Sequence, residues 1–150
     1  MASFAGSGRI GVFVDASFWV ALIHDEDQYH PVSEDLWDRL LRHDATIITT
    51  NWTLYEALTF LNSRRRGRHD LALELHALAL NSGEIVDAST YEQQALEIFR
   101  SHTDKRWSVV DCANFVCIRE RHSTMALSFD RDFAQAQAEF GFAVLGAGAS

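Results

Sequence analysis

Apolar positions follow two rhythms along this chain. Short, partly β-branched runs recur at Ile10–Val14 (IGVFV), Ala45–Thr49 (ATIIT), Thr124–Phe129 (TMALSF) and Phe142–Leu145 (FAVL), with a weaker one at Glu84–Val86; each has the length of a buried strand. Between them the spacing turns helical. Ser17–Ile23 predicts a helical turn, and His30–Arg42 a helix with Pro31 in its first turn and Leu36, Leu40 and Leu41 on one face. Asn51 is expected to cap a helix over Trp52–Arg64, and Leu71–Leu80 forms another. Ser89 with Glu92 matches a capping box opening a helix to Phe99; a further helix runs from Ser108 to Arg121, and a short one over Asp132–Glu139. Strands alternating with helices predict an α/β domain around a mainly parallel sheet. In such sheets the functional crevice lies beyond the carboxyl ends of the strands.

A length of 150 residues fits one domain, 1–150 with its core over about 9–146, and an apolar share of 47% suffices for a self-standing core. Cys112 and Cys117 stand about 140° apart around a helix, so they read as two buried thiols and not as a disulfide or ligand pair. Asp15 interrupts the best candidate for a signal or membrane segment, Ile10–Ile23, so a soluble cytoplasmic protein is expected. With 13 Lys+Arg against 21 Asp+Glu the net charge is −8, which argues against holding nucleic acid chiefly by neutralising phosphates. It does not argue against cutting nucleic acid.

The informative feature is where certain acids stand. Asp15 is the only formally charged residue between Arg9 and Asp25, Glu56 between Asp44 and Arg64, and Asp111 between Arg106 and Arg119; Asp130 ends an apolar run, with Asp132 two residues on. An ionised carboxylate in apolar surroundings must be protonated, hydrogen-bonded, ion-paired or metal-bound, because leaving it unpaired costs several kcal/mol. No Lys or Arg occurs in these stretches. A divalent ion is an economical shared partner, and oxygen-only ligands suit Mg²⁺ or Mn²⁺. Structural explanations stand beside this one: Ser108 and Asp111 form the S-x-x-D of a capping box, and Asp130 with Asp132 fits a polar turn and helix cap.

V-D-A-S-F-W-V-A-L around Asp15, L-Y-E-A-L around Glu56, S-V-V-D-C-A-N-F around Asp111 and S-F-D-R-D-F around Asp130 together resemble the successive motifs of a PIN domain, in the compact form of the VapC-type toxins of bacterial toxin–antitoxin pairs. The resemblance implies a three-layer α/β/α fold and a metal-dependent ribonuclease that leaves a 5′-phosphate and a 3′-hydroxyl. Carried over position by position, it implies Asp15 and Asp111 as ligands of Mg²⁺ or Mn²⁺, Asp130 as a direct or water-mediated ligand, and Glu56 as the acid that orients or deprotonates water. Ser17 and Ser128 are expected to support these acids; Asn114, one turn after Asp111, either shares its helix face or is a solvated polar residue; and Asp132 takes the place of Asp130 if the turn is offset by two residues. A cognate antitoxin and a homodimer are likewise implied.

Arg64, Arg65, Arg66 and Arg68 concentrate the basic charge and are candidate RNA-phosphate contacts, or else a solvated helix end. Seven acids and no Lys or Arg run from Asp15 through Asp38, which suits a basic antitoxin segment. The histidines show no H-x-x-x-H spacing, so zinc is not expected. Two rival functions remain open: a phosphatase or phosphotransferase with Asp15 as nucleophile, and a non-catalytic module that binds an ion or a partner. Against the first, Ser17 stands where a second acid belongs and the only Lys is Lys105.

Overall fold

In the computed structural model, which describes residues 10–63, 65 and 67–146, strand β1 (Gly11–Val14) turns alternate side chains to opposite sides of a sheet. Val12 and Val14 enter one core and Phe13 the other; Ile47 and Ile48 of β2 (Thr46–Thr50) and Leu127 and Ala126 of β4 (Met125–Ser128) divide in the same way. Both faces are therefore covered, and the strands read as apolar runs without polar alternation. With β3 (Gly83–Val86) and β5 (Ala143–Gly146) the sheet is fully parallel in the order β3-β2-β1-β4-β5.

Helices α1 (Ala16–Ile23), α2 (His30–Arg42), α3 (Asn51–Leu61) and α4 (His69–Ser82) supply the core on one face. Helices α5 (Glu92–Ser101), α6 (Val109–Glu120) and α7 (Arg131–Phe140) supply the other. The expected three-layer α/β/α arrangement is thus present. Trp19 and Trp37 pack 5.5 Å apart in the first core, and Trp107 packs against Phe115 at 5.1 Å in the second. Both cysteines are buried, and burial pushes the Cys112 and Cys117 thiols up to about 11 and 12. The chain runs outward from β1 through β2 to β3 and returns to place β4 on the other side of β1, so the strand order reverses at the β1/β4 boundary. A crevice opens at such a boundary because the flanking connections diverge to opposite faces.

Several expected boundaries move for identifiable reasons. Thr50, not Asn51, caps α3: its hydroxyl accepts the Thr53 amide at 3.1 Å. Asn51 Oδ1 does accept a first-turn amide, that of Trp52 at 3.0 Å, and also joins tertiary structure by accepting the Ala88 amide at 2.8 Å. Helix α3 ends at Leu61 and not Arg64, because the following loop folds back, with the Arg68 amide donating to the Leu61 carbonyl at 2.9 Å. The Ser89/Glu92 capping box does not form. Asp87 accepts from the Ser89 amide and opens a 3-10 turn over Ala88–Tyr91, from which α5 continues. Gly83 begins β3 so close to β2 that a Cβ would meet the Ile47 carbonyl oxygen at 2.1 Å. Among the described residues no helix is long and apolar enough to cross a membrane.

Candidate active site

Asp15 follows β1 and stands at the start of α1, at the strand-order reversal. Its backbone serves the fold: the amide donates to the Leu127 carbonyl at 3.0 Å, and its carbonyl accepts from Phe18 and Trp19. Its side chain caps nothing and is held by hydroxyls. Oδ2 accepts from Ser128 Oγ at 2.8 Å and from Ser17 Oγ at 3.1 Å. Those hydroxyls in turn accept the Asp130 and Phe129 amides, both at 3.0 Å, so the turn after β4 is keyed to the Asp15 carboxylate.

The structural explanations for Asp111 and Asp130 are also realised. Ser108 Oγ accepts the Asp111 amide and Asp111 Oδ2 accepts the Ser108 amide, each at 3.0 Å, completing a capping box on α6. Asp130 caps α7, its Oδ1 accepting the Asp132 amide at 2.9 Å. Capping fixes where these carboxylates stand, and Asp130 still lines the crevice. Glu56 projects from α3 and is exposed. Asn114, one turn after Asp111, is not a solvated polar residue: it is fully buried, and its Oδ1 accepts from Thr50 Oγ1 at 3.1 Å and Thr53 Oγ1 at 2.8 Å. This ties the start of the helix that carries Glu56 to the helix that carries Asp111. Nothing in the sequence pattern singled out Thr50 or Thr53.

Electrostatics shows that the four acids converge. Burial pushes the Asp15 carboxyl up to about 6 despite the Ser128 hydroxyl and Ala16 amide, and Asp130 and Glu56 push it the same way. Asp111 is pushed up to about 7, first by burial and then by Asp15 and Asp130, against the Ser108 bonds that lower it. Glu56 is raised by desolvation and by Asp111 and Asp130. Every pair among Asp15, Glu56, Asp111 and Asp130 therefore repels. Asp132 is raised by burial and couples to Asp130 alone, outside that set. No described Lys, Arg or His forms an ion pair with any of the four.

This donor set fits a hard divalent cation: oxygen ligands, two of them buried, with like charges and no described cationic partner. Among the described residues no three His, Cys, Asp or Glu side chains enclose an ion position by themselves. Asp15, Glu56 and Asp130 line a cavity of about 480 Å³ with Ser17, Tyr29 and Phe129. Of the basic cluster, Arg65 and Arg68 are described, and neither lines this cavity. Arg68 is bound by Asp70 through two 3.1 Å bonds, Arg65 is exposed, and Arg64 and Arg66 lie outside the described residues.

Comparison with known proteins gives the family of the chain and relatives of its fold. The sequence profile of the PIN domain matches residues 12–139. Proteins from two Mycobacterium tuberculosis strains, CDC 1551 and H37Rv, both named 23S rRNA-specific endonuclease VapC20, are 34% identical to this chain over 127 residues, covering 83% of it and 93% of their own length. The crystal structure of M. tuberculosis VapC20, described as a sarcin–ricin loop cleaving toxin, matches with a TM-score of 0.75 at 31% identity, over 88% of this chain and 96% of that one.

Proposed function

The chain belongs to the PIN-domain family, and from that premise we propose that it is a metal-dependent endoribonuclease acting as the toxin of a toxin–antitoxin pair. The observation that carries this reading is that Asp15 and Asp130 follow the two strands where the order reverses and line one cavity with Glu56. Asp15 and Asp111 would hold the divalent cation, Mg²⁺ or Mn²⁺, with Asp130 as a direct or water-mediated ligand. A bound divalent ion neutralises charge developing on the phosphoryl oxygens and makes water more acidic.

The protein's own groups do the rest. Ser17 and Ser128 orient the Asp15 carboxylate, the Ser108 capping box fixes Asp111, and Asn114 sets α3 against α6. Glu56, on the exposed side of the site, orients the attacking water and takes its proton. Water oxygen bonds to phosphorus as the bond to the 3′-oxygen breaks, leaving a 5′-phosphate and a 3′-hydroxyl. The substrate is the sarcin–ricin loop of 23S rRNA, the target named for the related toxin.

The same reading gives the chain a homodimeric state, a cytoplasmic location and an antitoxin whose basic segment meets the acidic α1–α2 connection. Arg64, Arg65 and Arg66 contact RNA phosphates, whereas Arg68 is engaged by Asp70. Replacing Arg64, Arg65 and Arg66 by Ala then flattens the salt dependence of RNA affinity; an unaltered slope rejects the contact. The activity itself is tested by incubating purified protein with mixed cellular RNA in Mn²⁺ or EDTA. Cleavage in Mn²⁺ alone is expected, and equal cleavage in EDTA contradicts the reading.

A further inference from the structure

We propose that the cavity beside the four acids is a nucleobase subsite, in which a base next to the scissile phosphate stacks on Tyr29. This rests on the ribonuclease reading above and adds where the substrate's base is held. Three aromatic rings form one column at the cavity wall. Phe18 and Phe129 are stacked at 5.7 Å with their planes 12° apart, and Phe129 and Tyr29 at 4.4 Å and 6°. Phe18 is fully buried, whereas Phe129 and Tyr29 are half-buried and line the cavity. A planar base added at Tyr29 extends a column that is already parallel. Base stacking on aromatic side chains is the commonest way proteins hold unpaired RNA nucleotides.

Three further observations favour a base as the occupant. The cavity wall includes Asp15, Glu56 and Asp130 together with Tyr29, so a phosphodiester positioned at those acids through a divalent cation would have its flanking nucleoside at the same cavity. Among the described residues the lining carries acids, Asp27 among them, and no basic residue, so it favours a neutral ring that offers N–H donors. Tyr29 is also held in place before anything binds. Its amide donates to Asp27 Oδ1 at 2.9 Å, the next residue's amide donates to the Asp27 carbonyl at 3.0 Å, and the His30 ring bonds the Ala21 carbonyl at 2.7 Å. A ring fixed in advance spares the ordering cost of binding. The volume of about 480 Å³ exceeds what one purine needs, and a chain segment enters with it.

The test uses the full chain with Mn²⁺ and a sarcin–ricin hairpin RNA, intact or abasic at each nucleotide flanking the cut in turn. Removing one of those bases is expected to lower kcat/KM of the wild type by about 10-fold or more. Tyr29→Leu should lose the same factor on intact RNA and nothing further on that abasic RNA, while Tyr29→Trp retains cleavage. Unchanged cleavage by Tyr29→Leu, or a loss equal on intact and abasic RNA, overturns the subsite. A parallel measurement separates this proposal from the activity: quenching of 2-aminopurine placed at the flanking position, with protein in EDTA. Tyr29-dependent quenching in EDTA, with no cleavage of the same RNA once Mn²⁺ is supplied, supports the subsite and rejects the ribonuclease reading. Metal-dependent cleavage with quenching that ignores Tyr29 rejects the subsite alone. A basic peptide whose binding needs Tyr29, while RNA cleavage does not, assigns the surface to a protein partner and also overturns the proposal.

Discussion

Replacing Asp111 by Asn tests the electrostatics of the site through stability. In the native chain this carboxyl is pushed up from 3.8 to about 7, first by burial and then by Asp15 and Asp130. The unfolded chain releases the proton near 3.8, whereas the native state keeps it to about 7. The ionised form is therefore penalised by folding, and stability present at acid pH is lost as pH rises through about 4 to 7. At about 1.4 kcal/mol per pKa unit the penalty at pH 8 is about 4 kcal/mol; at pH 5 it is about 1.6 kcal/mol, and below pH 4 it vanishes. Asn removes the charge and, with its amide oriented so that Oδ1 takes the place of Asp111 Oδ2, keeps an acceptor for the Ser108 amide. Metal-free Asp111→Asn should accordingly be more stable than the wild type at pH 8, by up to about 4 kcal/mol, or roughly 8–16 °C in Tm for a chain of this size. Urea denaturation of both proteins in EDTA at pH 8, 6.5 and 5 measures the difference. A variant less stable throughout, or a difference flat with pH, refutes the reasoning.

Asn114→Ala strands the Thr50 and Thr53 hydroxyls in a buried place and should cost about 1–3 kcal/mol in denaturant titration. It should also lower kcat for RNA cleavage, because α3 carries Glu56; an active variant of wild-type stability contradicts the role given to Asn114. Gly83→Ala forces a Cβ against the Ile47 carbonyl and should destabilise the β2–β3 edge by about 2–4 kcal/mol, measured as a lower urea midpoint. A midpoint equal to the wild type shows that β3 shifts without cost.

The acids were legible because each stands alone in a stretch that the core claims, a conflict between local sequence and burial that marks sites built for a ligand. The parallel sheet was legible for a related reason: IGVFV has no polar face, as a strand covered on both sides requires. What escaped the sequence depends on distant partners. Asn51 looks like a helix cap, and nothing local shows that its side chain also accepts from Ala88, 37 residues on. Asn114 has the polarity of a surface residue, and only the approach of Thr50 and Thr53 makes its burial tolerable. Tyr29 carries no local signal, since its partner Phe129 arrives from the end of β4. The capping roles of Asp111 and Asp130 were legible locally, but not that capping and convergence coexist.

The central claim is that Asp15, Glu56, Asp111 and Asp130 act as one metal-dependent site on RNA. Single-turnover cleavage of a sarcin–ricin hairpin across a Mn²⁺ titration, in wild type and Asp15→Asn, tests it most directly. The account predicts a rate that saturates with Mn²⁺ in the wild type and falls by about 100-fold or more in the variant, as removal of an interaction worth several kcal/mol in the transition state requires. Cleavage that persists without metal, or at wild-type rate in Asp15→Asn, contradicts it.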